Sequence, residues 1–369
     1  MLNLSGVWRP AVCAAIAVTA VTSMLSPAVS AVPPTSGGPV SDFAVEFTVR
    51  NVNTSRVPCG ADGKTYTVRG HVTLPAGADR GRAVPGVLHS HTFGVGETMW
   101  RGLNAHPELD HVRWLAREGF ASITFNRLGY GKTPDGKAVA GTSDVPGGWG
   151  VCFGSDAAVL DQIAGQLRAG TYTAHGHPVV RFSRLAAAGG SSGAVSAKIA
   201  QTSFRSFDAI AQFGYAEGGS TVTADDAVHL PQLLGACANT PASGGYERFG
   251  NLDRARATLH GVAEPVIASY LRVLEADPCG GWSSVVSATP VNLAATASIT
   301  VPVLLIYGAN DSTVRPGAAE VERRLYAGSR ELSVHHMPDT GHYMMLGRTV
   351  AQFRTIVRDW LDRHGFGLR

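Results

Sequence analysis

A serine framed by small residues is the first feature of this sequence that could do chemistry. Gly189-Gly190-Ser191-Ser192-Gly193 fits G-x-S-x-G. It lies between an apolar run, Arg184–Gly189, and a small-residue stretch with helical spacing, Gly193–Thr202. In a strand–turn–helix of this kind the sharp turn lifts the serine hydroxyl above the sheet, and the glycines let strand and helix approach closely. The helix N-terminus beside the hydroxyl stabilises negative charge. A serine becomes a useful nucleophile only with a base to take its proton and an acid to orient that base. Both are offered downstream. The apolar run Val301–Tyr307 leads into Gly308-Ala309-Asn310-Asp311, and Leu332–Met337 leads into Pro338-Asp339-Thr340-Gly341-His342. Residues just past the ends of parallel strands face the crevice where such sheets bind ligands. Ser191, His342 and Asp311 are therefore expected as nucleophile, base and orienting acid. Glu217, beyond the run Phe207–Phe213, is the rival acid. Asp339 shares the loop of His342 and braces it poorly.

Attack on a carbonyl also needs two backbone N–H donors aimed at the developing oxyanion. Ser192, directly after the nucleophile, should supply one. The other is expected from His91-Thr92-Phe93-Gly94, with Phe93 preferred over Thr92. Phe93 is also expected to wall the acyl pocket, against the plainer reading of a buried turn residue. Other motifs carry less. Asn126–Thr133 lacks the first glycine of the phosphate-binding G-x-x-x-x-G-K-T. The pairs His89-Ser90-His91 and His175-Gly176-His177 have no carboxylate at metal-site spacing, and H-E-x-x-H does not occur. Neither a metal nor a cofactor is expected.

These side chains need a scaffold to bring them together. Strands are expected at Phe43–Val52, Thr65–Leu74, Gly86–His91, Ala121–Asn126, Arg184–Gly189, Phe207–Phe213, Val301–Tyr307 and Leu332–Met337. Helices are expected at His106–Glu118, Ser155–Ala169, Gly193–Thr202, Ala318–Tyr326 and Thr349–His364. Strands alternating with helices predict an α/β fold, a mostly parallel, doubly wound sheet with helices on both faces. The first two strands form an antiparallel entry. The stretch 217–298 breaks the rhythm, with helical pieces at Asp225–Cys237, Leu252–His260 and Val262–Ala276 and no clear strand. It is read as a helical lid inserted in a core made of 43–216 and 299–369.

The chain order Ser–Asp–His, together with Asn126-Arg127-Leu128-Gly129-Tyr130-Gly131 in the manner of a D-x-x-G-x-G turn, resembles the α/β-hydrolase fold superfamily. The resemblance runs from about Gly86 to Leu361. Asn126 stands where that family has Asp at a structural position, and Thr92 stands where it usually has Gly. The resemblance implies a serine hydrolase, with carboxylic ester hydrolysis foremost. Amide or peptide cleavage, thioester cleavage, and acyl transfer or lactone formation use the same residues. A serine nucleophile separates the chain from dehalogenases and epoxide hydrolases, which share the fold and use Asp. A binding protein that reuses the fold without catalysis is the alternative from another class. Apolar lid residues (Leu230, Leu233, Leu234, Val266, Ile267, Tyr270, Leu271) and the core residues Trp100, Tyr343 and Met344 point to a small-molecule ester with a neutral, apolar acyl or aromatic group, against the plainer reading that they only pack the lid's own core.

Composition bounds the remaining possibilities. The 369 residues are 44% hydrophobic and 16% charged, which excludes a disordered chain. The 44 glycines follow no three-residue period, so collagen is excluded. A net charge of +3 with no basic stripe gives no footing for nucleic acid. Arg9, the apolar run Ala11–Leu25 and Val29-Ser30-Ala31 are expected to form a signal peptide, 1–31, cleaved after Ala31. A Pro/Gly/Ser linker, 32–42, follows. The run is shorter than the roughly 20 apolar residues that a membrane span needs, so a secreted protein without a stable membrane anchor is expected. Cys13 leaves with the signal. Cys59, Cys152, Cys237 and Cys279 remain for disulfides in an oxidising compartment. Cys237 and Cys279, both in the insertion, are expected to pair, which leaves Cys59 with Cys152.

Overall fold

Alternating apolar positions build the entry to the sheet. β1 (Ser41–Arg50) buries Phe43, Val45, Phe47 and Val49, every second residue, and pairs antiparallel with β2 (Thr65–Leu74). The next strands are short, apolar and buried on both faces, as parallel strands under two helical layers must be. They are β3 (Val84–Ser90), β4 (Ala121–Phe125), β6 (Phe182–Gly190), β7 (Ala209–Phe213) and β10 (Val303–Gly308). β5 (Thr173–Ala174) lengthens one edge and β11 (Leu332–Met337) forms the other. The order across the nine-stranded sheet is β11-β10-β7-β6-β3-β4-β2-β1-β5. From β11 to β4 all pairs are parallel; from β4 to β5 all are antiparallel. The computed structural model describes residues 39–78, 81–131, 142–218, 229–239, 244–248 and 256–368. The expected signal peptide, most of the linker, and the side chains of Leu230 and Leu233 lie outside them.

Both faces of the sheet are covered. Leu185 and Ala187 of β6 face α2 (Phe153–Ala169) and α3 (Ser192–Phe204), through Leu160, Ile163, Ala194 and Ile199. Ala186 and Ala188, the alternate residues, belong with α1 (His111–Arg117) and the C-terminal α8 (Val350–Arg363). On the β10 side, Leu305 and Tyr307 pack on α7 (Ala318–Leu325). The small residues of β6 and α3 let this helix lie close to its strand. α1 starts later than expected, because Pro107 sets a 3₁₀ turn and Asp110 then caps the helix by accepting from Arg113 N–H.

The segment between β7 and β10 holds α4 (His229–Asn239), β8 (Tyr246–Glu247), α5 (Glu264–Arg272), β9 (Asp277–Pro278) and α6 (Cys279–Ala295). Two corrections arise here. β8 and β9 form a short antiparallel ladder where no strand was expected. Two-residue strands leave no periodic signal. The long α6 was also missed, because Gly280, Gly281, Thr289 and Pro290 are poor helix formers and the helix is specified by packing.

Candidate active site

The turn after β6 is strained in the way a nucleophile requires. Ser191 has φ +48° and ψ −115°, outside the usual range of an L-residue. Its N–H donates to the carbonyl of Phe213 on β7 at 2.9 Å, and α3 starts at the next residue. The two motif glycines are needed for close approach. A Cβ on Gly189 would lie 2.6 Å from the Ala194 backbone, and one on Gly193 would collide with the Ser90 carbonyl at the end of β3.

The β10 and β11 loops deliver the next two groups. Nδ1 of His342 lies 2.8 Å from Oδ2 of Asp311, with the Asp311 side chain fully buried and that of His342 nearly so. Thr313 was not singled out in the sequence. Its Oγ1 lies 2.8 Å from Oδ1 of Asp311 and 2.8 Å from Nδ1 of His342, and its backbone N–H donates to the same Oδ1. The Thr313 hydroxyl donates to the carboxylate and accepts from the imidazole N–H, so one side chain braces both. Gly214 was missed as well. It has φ +60°, and a Cβ there would sit 2.9 Å from Nδ1 of His342 and 3.0 Å from Oδ2 of Asp311.

The rival acid is elsewhere. Glu217 is buried in a cluster with Lys198 and Glu322, its Oε2 3.3 Å from the ammonium, which also pairs with Glu322. Burial, opposed by the Lys198 charge, pushes the Glu217 carboxyl up to about 7. The cluster ties α3 to the end of β7 and to α7.

Loop 91–94 is held from several sides. The Arg127 N–H donates to Nε2 of His91 at 3.0 Å, which puts the ring proton on Nδ1 and directs it to the Thr92 carbonyl at 2.8 Å. Burial and the Arg127 charge hold the His91 imidazole neutral, well below its usual range. The Arg127 guanidinium, itself buried, donates to Asp156, to Tyr130 and to Ser192 Oγ, each at 2.9 Å. It thus fixes the side chain of the residue that follows Ser191.

Ser191, Ser192, Thr92, Phe93, His342 and Tyr343 share one cleft of about 500 Å³, its open mouth included. Phe153, Val195, Tyr215, Trp282, Val285, Ala288 and Thr289 complete its walls. Trp282 of α6 stacks on Phe93, centroids 4.0 Å apart. Among the described residues, His342 is the one ionisable group on these walls besides the tyrosines. Two expected pocket residues are elsewhere. Trp100 is fully buried on the α1/α8 face among His89, His111 and Phe213, and Met344 is buried in the same cluster. Both are core residues, because their segments turn them toward that face. Trp282, missed with its helix, takes the place assigned to Trp100. Of the apolar insertion residues, Val266, Ile267 and Tyr270 join the core on this same face, and Leu271 packs against it.

Both disulfides expected from the cysteine count are present. Cys237–Cys279 joins α4 to the start of α6, and Cys59–Cys152 joins the β1–β2 connection to the start of α2. No group of three or more metal-ligating side chains occurs among the described residues.

No family model and no curated protein matches the sequence. Solved structures do match. An esterase from Thermogutta terrifontis has a TM-score of 0.58 at 15% identity, covering 86% of this chain and 99% of its own. The alpha/beta hydrolase GrgF from Penicillium sp. gives 0.56 at 15%, covering 88% and 99%. The monoacylglycerol lipase of Paleococcus ferrophilus gives 0.54 at 16%, covering 77% and 97%. The chain has the α/β-hydrolase fold.

Proposed function

We propose that this protein is a secreted serine hydrolase that cleaves carboxylic esters of apolar acids through Ser191, His342 and Asp311. The observation that carries the reading is the His342–Asp311 bond at 2.8 Å, set on the same cleft as Ser191 in its strained turn. Solved structures of the same fold include an esterase and a monoacylglycerol lipase, which accords with it.

In this mechanism the Ser191 hydroxyl attacks the ester carbonyl carbon while Nε2 of His342 takes its proton. Asp311 accepts from Nδ1–H and stabilises the imidazolium. The carbonyl oxygen, now negative, is held by the N–H groups of Ser192 and Phe93, with the α3 N-terminus adding its partial positive charge. The tetrahedral species collapses. The C–O bond to the alcohol breaks, and His342 returns its proton to the leaving oxygen. Water then attacks the acyl-Ser191 ester by the same route and releases the acid.

The acyl group would lie against Phe153, Val195, Trp282, Val285 and Ala288, walls that offer an anionic acyl chain no cation. The segment between β7 and β10 acts as the lid, since α6 supplies three of those walls. Export belongs to the same proposal. It rests on the N-terminal pattern and two disulfides, and no described helix is long and apolar enough to cross a membrane. A panel of p-nitrophenyl esters and aminoacyl anilides tests the reaction class. Turnover of apolar esters, abolished in Ser191→Ala, supports the reading. Anilide cleavage with no esterase activity would replace it by the amidase alternative.

A further inference from the structure

We propose that Asp277, in the segment between β7 and β10, is a positioning residue for the oxyanion loop, so that the insertion sets the catalytic competence of the core. The inference rests on the serine-hydrolase reading above and extends it to a residue that no catalytic motif contains. Its basis is the way one peptide group is held. The N–H of Gly94 donates to Oδ1 of Asp277 at 2.7 Å. The carbonyl of that same peptide, the one of Phe93, accepts from the Tyr343 hydroxyl at 3.4 Å. The peptide plane between Phe93 and Gly94 is therefore held closely at its N–H by the insertion and more loosely at its carbonyl by Tyr343, whose hydroxyl also lies 2.8 Å from that of Tyr270. The next carbonyl, that of Gly94, accepts from the Glu275 N–H at 2.7 Å. Gly94 itself has φ +78°.

The preceding peptide carries the Phe93 N–H assigned to the oxyanion. Its carbonyl, on Thr92, is taken by His91. A rotation of the Phe93–Gly94 plane would be passed to that N–H through the Phe93 φ and ψ angles. A misplacement of about 1 Å at such a donor costs on the order of 100-fold in rate.

Asp277 can do this because it is itself immobile. It is fully buried, and Tyr130, which accepts from Arg127, hydrogen-bonds to it. It pairs in the β8–β9 ladder, and two residues later Cys279 is locked to Cys237. The carboxylate thus connects the disulfide-bonded insertion to the Arg127 network that also holds Ser192.

The test compares Asp277→Ala and Asp277→Asn with wild type on one p-nitrophenyl ester, with inactivation by a fluorophosphonate measured in parallel. Asp277→Ala should lower kcat and kcat/KM together by about 100-fold with KM within about twofold, and should slow phosphonylation similarly, because that reaction also places an oxygen in the hole. Asp277→Asn keeps an acceptor for Gly94 N–H and should recover to within about fivefold of wild type. A merely structural Asp277 would lower the melting temperature of both variants and leave kcat unchanged, which overturns the inference. Equal losses in both variants would overturn it too, since the acceptor would not be what matters. Should Asp277→Ala fail to fold, Tyr343→Phe carries the test. It frees the other end of the same peptide and should lower kcat by about fivefold at unchanged KM; an unchanged kcat contradicts the proposal. If the wild type neither turns over the ester nor reacts with the phosphonate, the hydrolase reading fails and this inference with it. An active wild type with an undiminished Asp277→Ala removes this inference alone.

Discussion

At the level of single residues, Ser191, His342 and Asp311 should act as a unit. Ser191→Ala and His342→Ala should each lower kcat on a good ester by several orders of magnitude, with melting temperatures near wild type, and the double variant should be scarcely worse. Asp311→Asn should cost about 10⁴-fold, because an amide there favours the wrong imidazole tautomer. Glu217→Gln should leave kcat within a few-fold, since its carboxyl sits with Lys198 and Glu322 and away from His342. A crippled Glu217→Gln beside a mild Asp311→Asn would reverse the assignment. Thr313→Val keeps the shape and removes the hydroxyl shared by Asp311 and His342. About 1.4 kcal/mol of lost bracing predicts a roughly tenfold lower kcat at unchanged KM. The sequence made Ser191, Asp311 and His342 legible because each follows an apolar run that had to be a strand. Thr313 and Gly214 carry no such pattern: what marks them is contact with residues far away in the chain. Trp100 was misread because an aromatic near the oxyanion loop in sequence faces the opposite side of the sheet.

At the scale of elements, α6 is the part least visible in sequence, yet it lines much of the cleft. It brings Trp282, Val285 and Ala288 to the cleft, and the Cys237–Cys279 bond pins its first residue to α4. Closing that 42-residue loop is worth about 3–4 kcal/mol in the chain-entropy model. The double variant Cys237→Ala/Cys279→Ala should therefore fold around its intact core but lose discrimination among acyl chain lengths. Ratios of kcat/KM for butyrate, octanoate and laurate esters check this; unchanged ratios would mean that α6 is fixed by packing alone. Core strands and flanking helices were readable within a few residues, because burial on two faces writes a continuous apolar run and burial on one writes a period. The insertion was readable as a break in that rhythm, while its helix rich in Gly, Ser and Val was not.

At the scale of the whole molecule, two buried glutamates, Glu275 and Glu217, contribute a pH dependence opposite to the usual acid denaturation. Burial pushes Glu275 up to about 8, opposed by a hydrogen bond from the Gly131 backbone and reinforced by Asp277. Below the ordinary glutamate value of 4.5 the group is protonated in both folded and unfolded chains, and its contribution is fully present. As pH rises the unfolded chain ionises first, so this contribution is lost progressively up to about 8. Glu217, raised to about 7, acts in the same direction. The melting temperature of Glu275→Gln should fall less between pH 5 and pH 8 than that of wild type; an identical fall would show that Glu275 is already ionised in the native protein.

Ser191 should be the nucleophile served by the His342–Asp311 pair. Incubation of the folded protein with a fluorophosphonate, followed by intact-mass measurement and peptide mapping, tests it most directly. The account predicts one adduct per chain, on Ser191, absent in Ser191→Ala and formed far more slowly in Asp311→Asn. A folded protein that hydrolyses esters without forming this adduct, or that carries it on another serine, would contradict the account.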